Sequence, residues 1–96
     1  MKTAQEFYDF YASIPQEKWC VGALTNEHGQ HCALGFLKET GHSLLPLYYV
    51  LKELVSLIND GRLQRFKQPT PKLRILAALS EIINESNKCC NQANSK

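Results

Sequence analysis

Leu44, Leu47, Tyr48, Leu51, Leu54, Val55 and Ile58 recur every three or four positions, the spacing that lines one face of a helix. Ser43 stands where an N-cap belongs, Pro46 suits a first turn, and Asn59-Asp60-Gly61 supplies the residues that close a helix in the left-handed region. A stripe this long has to be buried against something. A second one follows Thr70-Pro71, with Thr as N-cap and Pro at the first helical position, and carries Ile75, Leu76, Leu79, Ile82 and Ile83 until polar residues take over near Glu85. A third opens on Thr3-Ala4-Gln5-Glu6, a capping box, and runs through Phe7, Phe10, Tyr11 and Ile14 to Pro15. These faces predict a helix-dominated core in which Leu51, Leu54, Ile58, Leu76 and Leu79 meet between the two long helices.

The segment between the first and second of these helices in chain order has no helical period. Trp19-Cys20-Val21-Gly22-Ala23-Leu24-Thr25 leads into the turn formers Asn26-Glu27-His28-Gly29, and apolar residues then resume. A short, irregular β-hairpin anchored by Trp19 is expected, lying against helices because two strands alone are marginal in water. Cys32 to Glu39 reads as a short helix with Leu34 and Leu37 inward, Gly35 marking close backbone packing, and Thr40-Gly41 as its stop. The expected fold class is α+β, mostly α: about four helices and one short β-hairpin.

Ninety-six residues suit a single core, here assigned to 1–86, with 87–96 as a flexible polar tail. Neither a membrane span nor a secretory leader is visible, so a cytoplasmic protein with reduced thiols is expected. Cys89 and Cys90, in the polar tail, are expected to be exposed and prone to oxidation.

Three constellations carry possible chemistry. Cys20, His28, His31 and Cys32 are ligand types that zinc accepts, but Cys20 stands alone and His31 and Cys32 are adjacent, so neither end offers a paired ligand turn. A thiol next to a histidine is the second, with Cys20 or Cys32 against His28, His31 or His42, yet no nucleophile elbow, cysteine-protease signature or phosphate-cradling glycine loop accompanies it. Buried, structural cysteines fit better, and no catalytic residue, metal ligand or cofactor is assigned. The third is charge. Arg62, Arg65, Lys67, Lys72 and Arg74 give residues 61–74 a charge of +5, against −3 for the rest of the chain. With Phe66 among them, Arg62, Arg65, Phe66, Lys67, Lys72 and Arg74 form the candidate partner-binding segment, suited to an acidic protein surface or to phosphate contact and base stacking.

Trp19-Cys20-x-Gly22, Cys32-Ala33-Leu34-Gly35, Ile58-Asn59-Asp60 and a Thr70-capped Leu-rich helix, in that order over roughly residues 4 to 83, resemble a family of small phage and actinobacterial proteins. Phe36 stands where that family has Ala, and Ile58 where it has Trp. The resemblance implies a compact, mostly helical accessory protein with no established catalytic residues. It points to a non-catalytic interaction module that binds and inhibits a host or defence protein, such as a nucleic-acid-binding complex, through its basic loop. The alternatives are a small DNA- or RNA-binding regulator and a thiol- or metal-dependent enzyme.

Overall fold

The computed structural model describes residues 1–94, with side chains described over 1–86. Helix α1 (Ala4–Ala12) starts at the Thr3 capping box: Glu6 N–H donates to Thr3 Oγ1 (3.1 Å) and the Glu6 carboxylate accepts from Thr3 N–H (3.2 Å). The Lys2 backbone N–H, with the Thr3 hydroxyl and amide behind it, holds the Glu6 carboxyl below its ordinary range. Phe7 and Tyr11 are buried, while Phe10 and Ile14 pack partly buried on the same cluster.

After a 3₁₀ turn over Gln16–Lys18, the chain forms an irregular loop and then α2 (Ala33–Glu39). The expected β-hairpin is not there: no strand occurs among the described residues, only two isolated bridges, Trp19 with His31 in parallel and Thr25 with His31 antiparallel. Two reversals explain this. Gly22 (φ +78°) and Gly29 (φ +75°) each turn the chain, so His31 returns in the same direction as Trp19 and lies between it and Thr25. Cys20 N–H donates to His31 O (2.9 Å), His31 N–H to Lys18 O (2.9 Å), and Cys32 N–H to Leu24 O (3.1 Å). Each pairing is too brief to extend into a ladder. Trp19 anchors the loop as expected, buried against the rings of Tyr11 (5.4 Å) and Phe36 (4.8 Å).

α2 ends as its sequence indicates. His42 N–H reaches Leu37 O (2.9 Å) and Gly41 N–H reaches Lys38 O (3.2 Å), with Gly41 at φ +76°. Leu34 and Leu37 are buried.

The apolar stripe from Leu44 to Ile58 does not form one helix. It divides into α3 (Leu45–Leu51), a 3₁₀ turn over Lys52–Leu54, and α4 (Val55–Asn59). Lys52 adopts φ 58°, ψ −156°, a combination that no helix contains and that a side chain disfavours. The break turns Leu54 outward: it is 41% exposed and leaves the expected core, whereas Leu51, Val55 and Ile58 stay inside. Ser43 does lie at the start, its Oγ accepting from Leu45 N–H (3.3 Å), although the capping position itself is Leu44.

Helix α5 (Pro71–Asn94) begins at Thr70, whose Oγ1 accepts from Leu73 N–H (3.2 Å), and continues past Glu85. It packs chiefly on α1 and α4, with Ile75, Ala78 and Leu79 buried and Leu76 partly so. The described residues form one compact, mostly helical domain with four helical runs, the third of them broken. The expected tail at 87–96, with Cys89 and Cys90, lies outside the residues whose side chains are described.

Candidate functional site

The basic segment begins where α4 stops. Gly61 takes φ +73°, and Arg62 N–H returns to Leu57 O (2.9 Å), which closes the helix and aims the chain along α5. Arg74, one turn into α5, then grips the freed carbonyls. Its Nε donates to Ile58 O and Asn59 O (3.2 Å each), Nη2 to Asn59 O (2.8 Å) and Nη1 to Gln68 O (2.8 Å). A guanidinium with three kinds of donor satisfies a helix end and a loop together, which an ammonium does not. Burial lowers the Arg74 pKa and the nearby Asp60 carboxylate raises it, the burial being the larger effect.

Arg74 and Phe66 therefore do not stand ready for a partner. Both are buried, at 8% and 7% exposure, and both fix the shape of the segment from within. Lys72 is half-buried. Lys67 is exposed but ties the loop back on itself, its Nζ donating to Gly61 O (2.8 Å). Arg65 lies against the Phe66 ring, 5.5 Å from its centre, and pairs with Glu81 of α5. Arg62 is exposed and has no ion pair among the described residues. Of the six residues expected to bind, Arg62, Arg65 and Lys67 form the outer edge of a pinned loop.

Beside that edge, a cleft of about 300 Å³ runs between the α3–α4 break and α5, with Val50, Leu51, Leu54, Phe66, Ala78 and Ile82 in its lining. Arg65 and Glu81 stand at the same opening. The outward turn of Leu54 is what gives the cleft an apolar lip.

The cysteine–histidine stretch is brought together differently from either a metal site or a catalytic pair. Among the described residues no three His, Cys, Asp or Glu side chains converge. Cys20 Sγ lies 3.5 Å from both Ala23 O and Gln30 O, and Cys32 Sγ accepts from Gly35 N–H (3.5 Å) as the cap of α2. His31 Nδ1 shares a hydrogen bond with Thr25 Oγ1 (2.8 Å), and His28 sits in solvent near Glu27 (3.7 Å). Burial, and next the neighbouring Cys32, push the Cys20 thiol up from its ordinary range, which keeps it protonated at neutral pH.

The residue that organises this region is Asn59. It is 1% exposed; its Nδ2 donates to Cys20 O (2.9 Å), its Oδ1 accepts from Ala33 N–H (3.0 Å), and its own carbonyl is the one Arg74 holds. Asp60 extends the tie by accepting from Gly22 N–H (3.0 Å). Trp19-Cys20-x-Gly22, Cys32-Ala33-Leu34-Gly35 and Asn59-Asp60 are thus parts of a single hydrogen-bonded knot. A second cleft of about 300 Å³, lined in part by Gly22, Leu24, Cys32, Val55, Asn59 and Asp60, opens beside it. The local sequence marks Asn59 as a helix terminator and, with Ile58 and Asp60, as part of the resemblance, but gives it no role in holding the loop. Its amide crosslink joins residues 26 and 39 positions away, and no local pattern encodes that.

No family model matches the chain, and no curated protein or solved structure proved similar to it.

Proposed function

We propose that the chain is a non-catalytic protein–protein interaction module that presents the edge formed by Arg62, Arg65 and Lys67 to an acidic surface of its partner. The observation that supports this reading is the way the basic loop is held. Arg74 grips both its ends, Phe66 plugs it into the core, and Lys67 bonds back to Gly61, so the exposed cations need little ordering on binding. The cleft beside them adds an apolar centre next to a polar rim, the arrangement that concentrates binding energy in a few residues. The resemblance to small phage and actinobacterial proteins extends the proposal to an accessory protein that acts in a host cytoplasm by occupying the acidic groove of a host or defence complex.

The test is capture from host lysate by the immobilised full-length protein, run beside the Arg62→Glu/Arg65→Glu/Lys67→Glu variant. The wild type is expected to retain a specific protein that the variant releases, with the far-ultraviolet spectrum of the variant unchanged. Retention of the same protein by the variant would remove the basic edge from the binding surface. Salt separates the nucleic-acid alternative. A complex that neutralises several phosphates weakens log-linearly and steeply as salt rises, whereas one with an apolar centre weakens far less.

A further inference from the structure

We infer that the cleft between the α3–α4 break and α5 is the contact surface of a symmetric dimer, its occupant a second copy of this chain.

The two walls of the cleft differ in charge. Ala78, Glu81, Ile82 and Glu85 recur at i, i+3, i+4 and i+7, so one face of α5 forms the first wall and carries two carboxylates a turn apart. The second wall comes from the break, where Val50, Leu51, Lys52 and Leu54 line the cleft with an ammonium among apolar side chains. Arg65 stands at the opening and pairs with Glu81. Lys52 and Glu85 are both exposed, and neither has an ion pair among the described residues. One cation and one anion are thus left over, on facing walls of the same apolar lining.

A surface that holds both signs in this way is complementary to itself. A two-fold axis over the cleft sets the Lys52 wall of each copy against the Glu85 wall of the other, so that one contact is made twice. A foreign surface of a single sign meets a like charge on one of the walls, which costs association, whereas a second copy meets none.

Leu54 supplies the apolar part. The sequence keeps it in step with Leu51, Val55 and Ile58, yet the break at Lys52 turns it outward at the lip of the cleft. About the same axis each Leu54 reaches the cleft of the other copy, which removes apolar surface from water on both sides and leaves the charges at the rim.

The dimer goes beyond the basic-edge reading. Arg62 and Lys67 do not line the cleft, so two copies offer that edge twice, and a host protein that extends into the cleft has to displace the second copy.

The test is sedimentation equilibrium of the full-length chain under reducing conditions and without host protein, so its outcome is separate from that of the capture experiment. The wild type is expected to pass from one chain mass to two as its concentration rises. Lys52→Glu sets acid against acid across the axis and Glu85→Lys sets base against base, so each alone is expected to weaken the dimer at least about tenfold. Mixed in equal amounts, the two variants should associate again, because each reversed position in one then meets its opposite in the other. Both positions are exposed, and Lys52→Glu leaves a Cβ on the same positive-φ backbone, so denaturant midpoints near that of the wild type are expected. Leu54→Gln probes the centre without a charge and is expected to weaken the dimer as well. A wild type that stays at one chain mass up to about 1 mM would overturn the inference and leave the cleft to a host protein. Folded variants that associate as the wild type does, or a mixture that stays monomeric, would overturn it too. Should a charge variant lose the fold, Leu54→Gln decides: an undiminished dimer counts against the cleft.

Discussion

Asn59 and Gly35 hold the loop to the helices by opposite means, one through a side chain and the other through the lack of one. Asn59→Ala leaves Cys20 O and Ala33 N–H without their buried partner, and is expected to cost about 2–3 kcal/mol in denaturant unfolding. Asn59→Asp keeps the acceptor for Ala33 but loses the donor to Cys20 and buries a charge beside Asp60, so its loss should exceed that of the alanine variant. A smaller loss for Asp would mean that the amide nitrogen carries little of the tie. At Gly35, a Cβ would stand 2.0 Å from Leu24 O, an overlap with backbone that no rotamer relieves. Gly35→Ala is therefore expected to displace the 22–25 stretch from α2, seen as raised amide exchange at Cys32, whose N–H bonds the same carbonyl. The packing role of Gly35 is legible in the sequence because glycine inside a helix is costly without a reason; the role of Asn59 is not, because Asn at a helix end already has a local explanation.

At the scale of elements, Lys52 is where periodicity misleads. The apolar repeat continues in step across Leu51, Leu54, Val55 and Ile58, so a single helix is the natural reading, yet the backbone breaks at a residue with positive φ. Lys52→Gly removes the strain at φ 58°, ψ −156° and is expected to raise stability by about 1 kcal/mol, whereas Lys52→Ala should not. Equal denaturant midpoints for the glycine variant and the wild type would place no strain there. Leu54 follows from the same break: being 41% exposed, its change to Ala is expected to cost less than about 1 kcal/mol, far below the 2–5 kcal/mol of a buried leucine. The starts of α1 and α5 and the end of α2 are legible because capping residues act within four positions. The loop at 19–31 is not, since its outcome depends on two glycine reversals that bring a third segment back parallel to the first. The basic segment is half legible: its charge is plain in the sequence, while the inward turn of Arg74 depends on the bare carbonyls at the end of α4.

The whole molecule should register these buried acids as sensitivity to alkali. Burial, seconded by the neighbouring Cys32, raises the thiol of Cys20, and burial raises the phenol of Tyr11 further, its hydroxyl donating to Ala33 O (2.7 Å) in the core. In the unfolded chain the thiol ionises near pH 8.5 and the phenol near pH 10. Between each of those values and the raised folded value, the unfolded chain binds fewer protons than the native one, so the free energy of unfolding falls as pH rises. Stability contributed by these groups is thus fully present below about pH 8 and declines above it, first through Cys20 and then through Tyr11. Under reducing conditions, denaturant midpoints measured from about pH 7 to about pH 10 should fall, and Cys20→Ser should flatten the first part of that decline while leaving the later part. Parallel curves for the wild type and Cys20→Ser would show that the Cys20 thiol ionises as easily folded as unfolded, and so that the base of the loop opens readily to water.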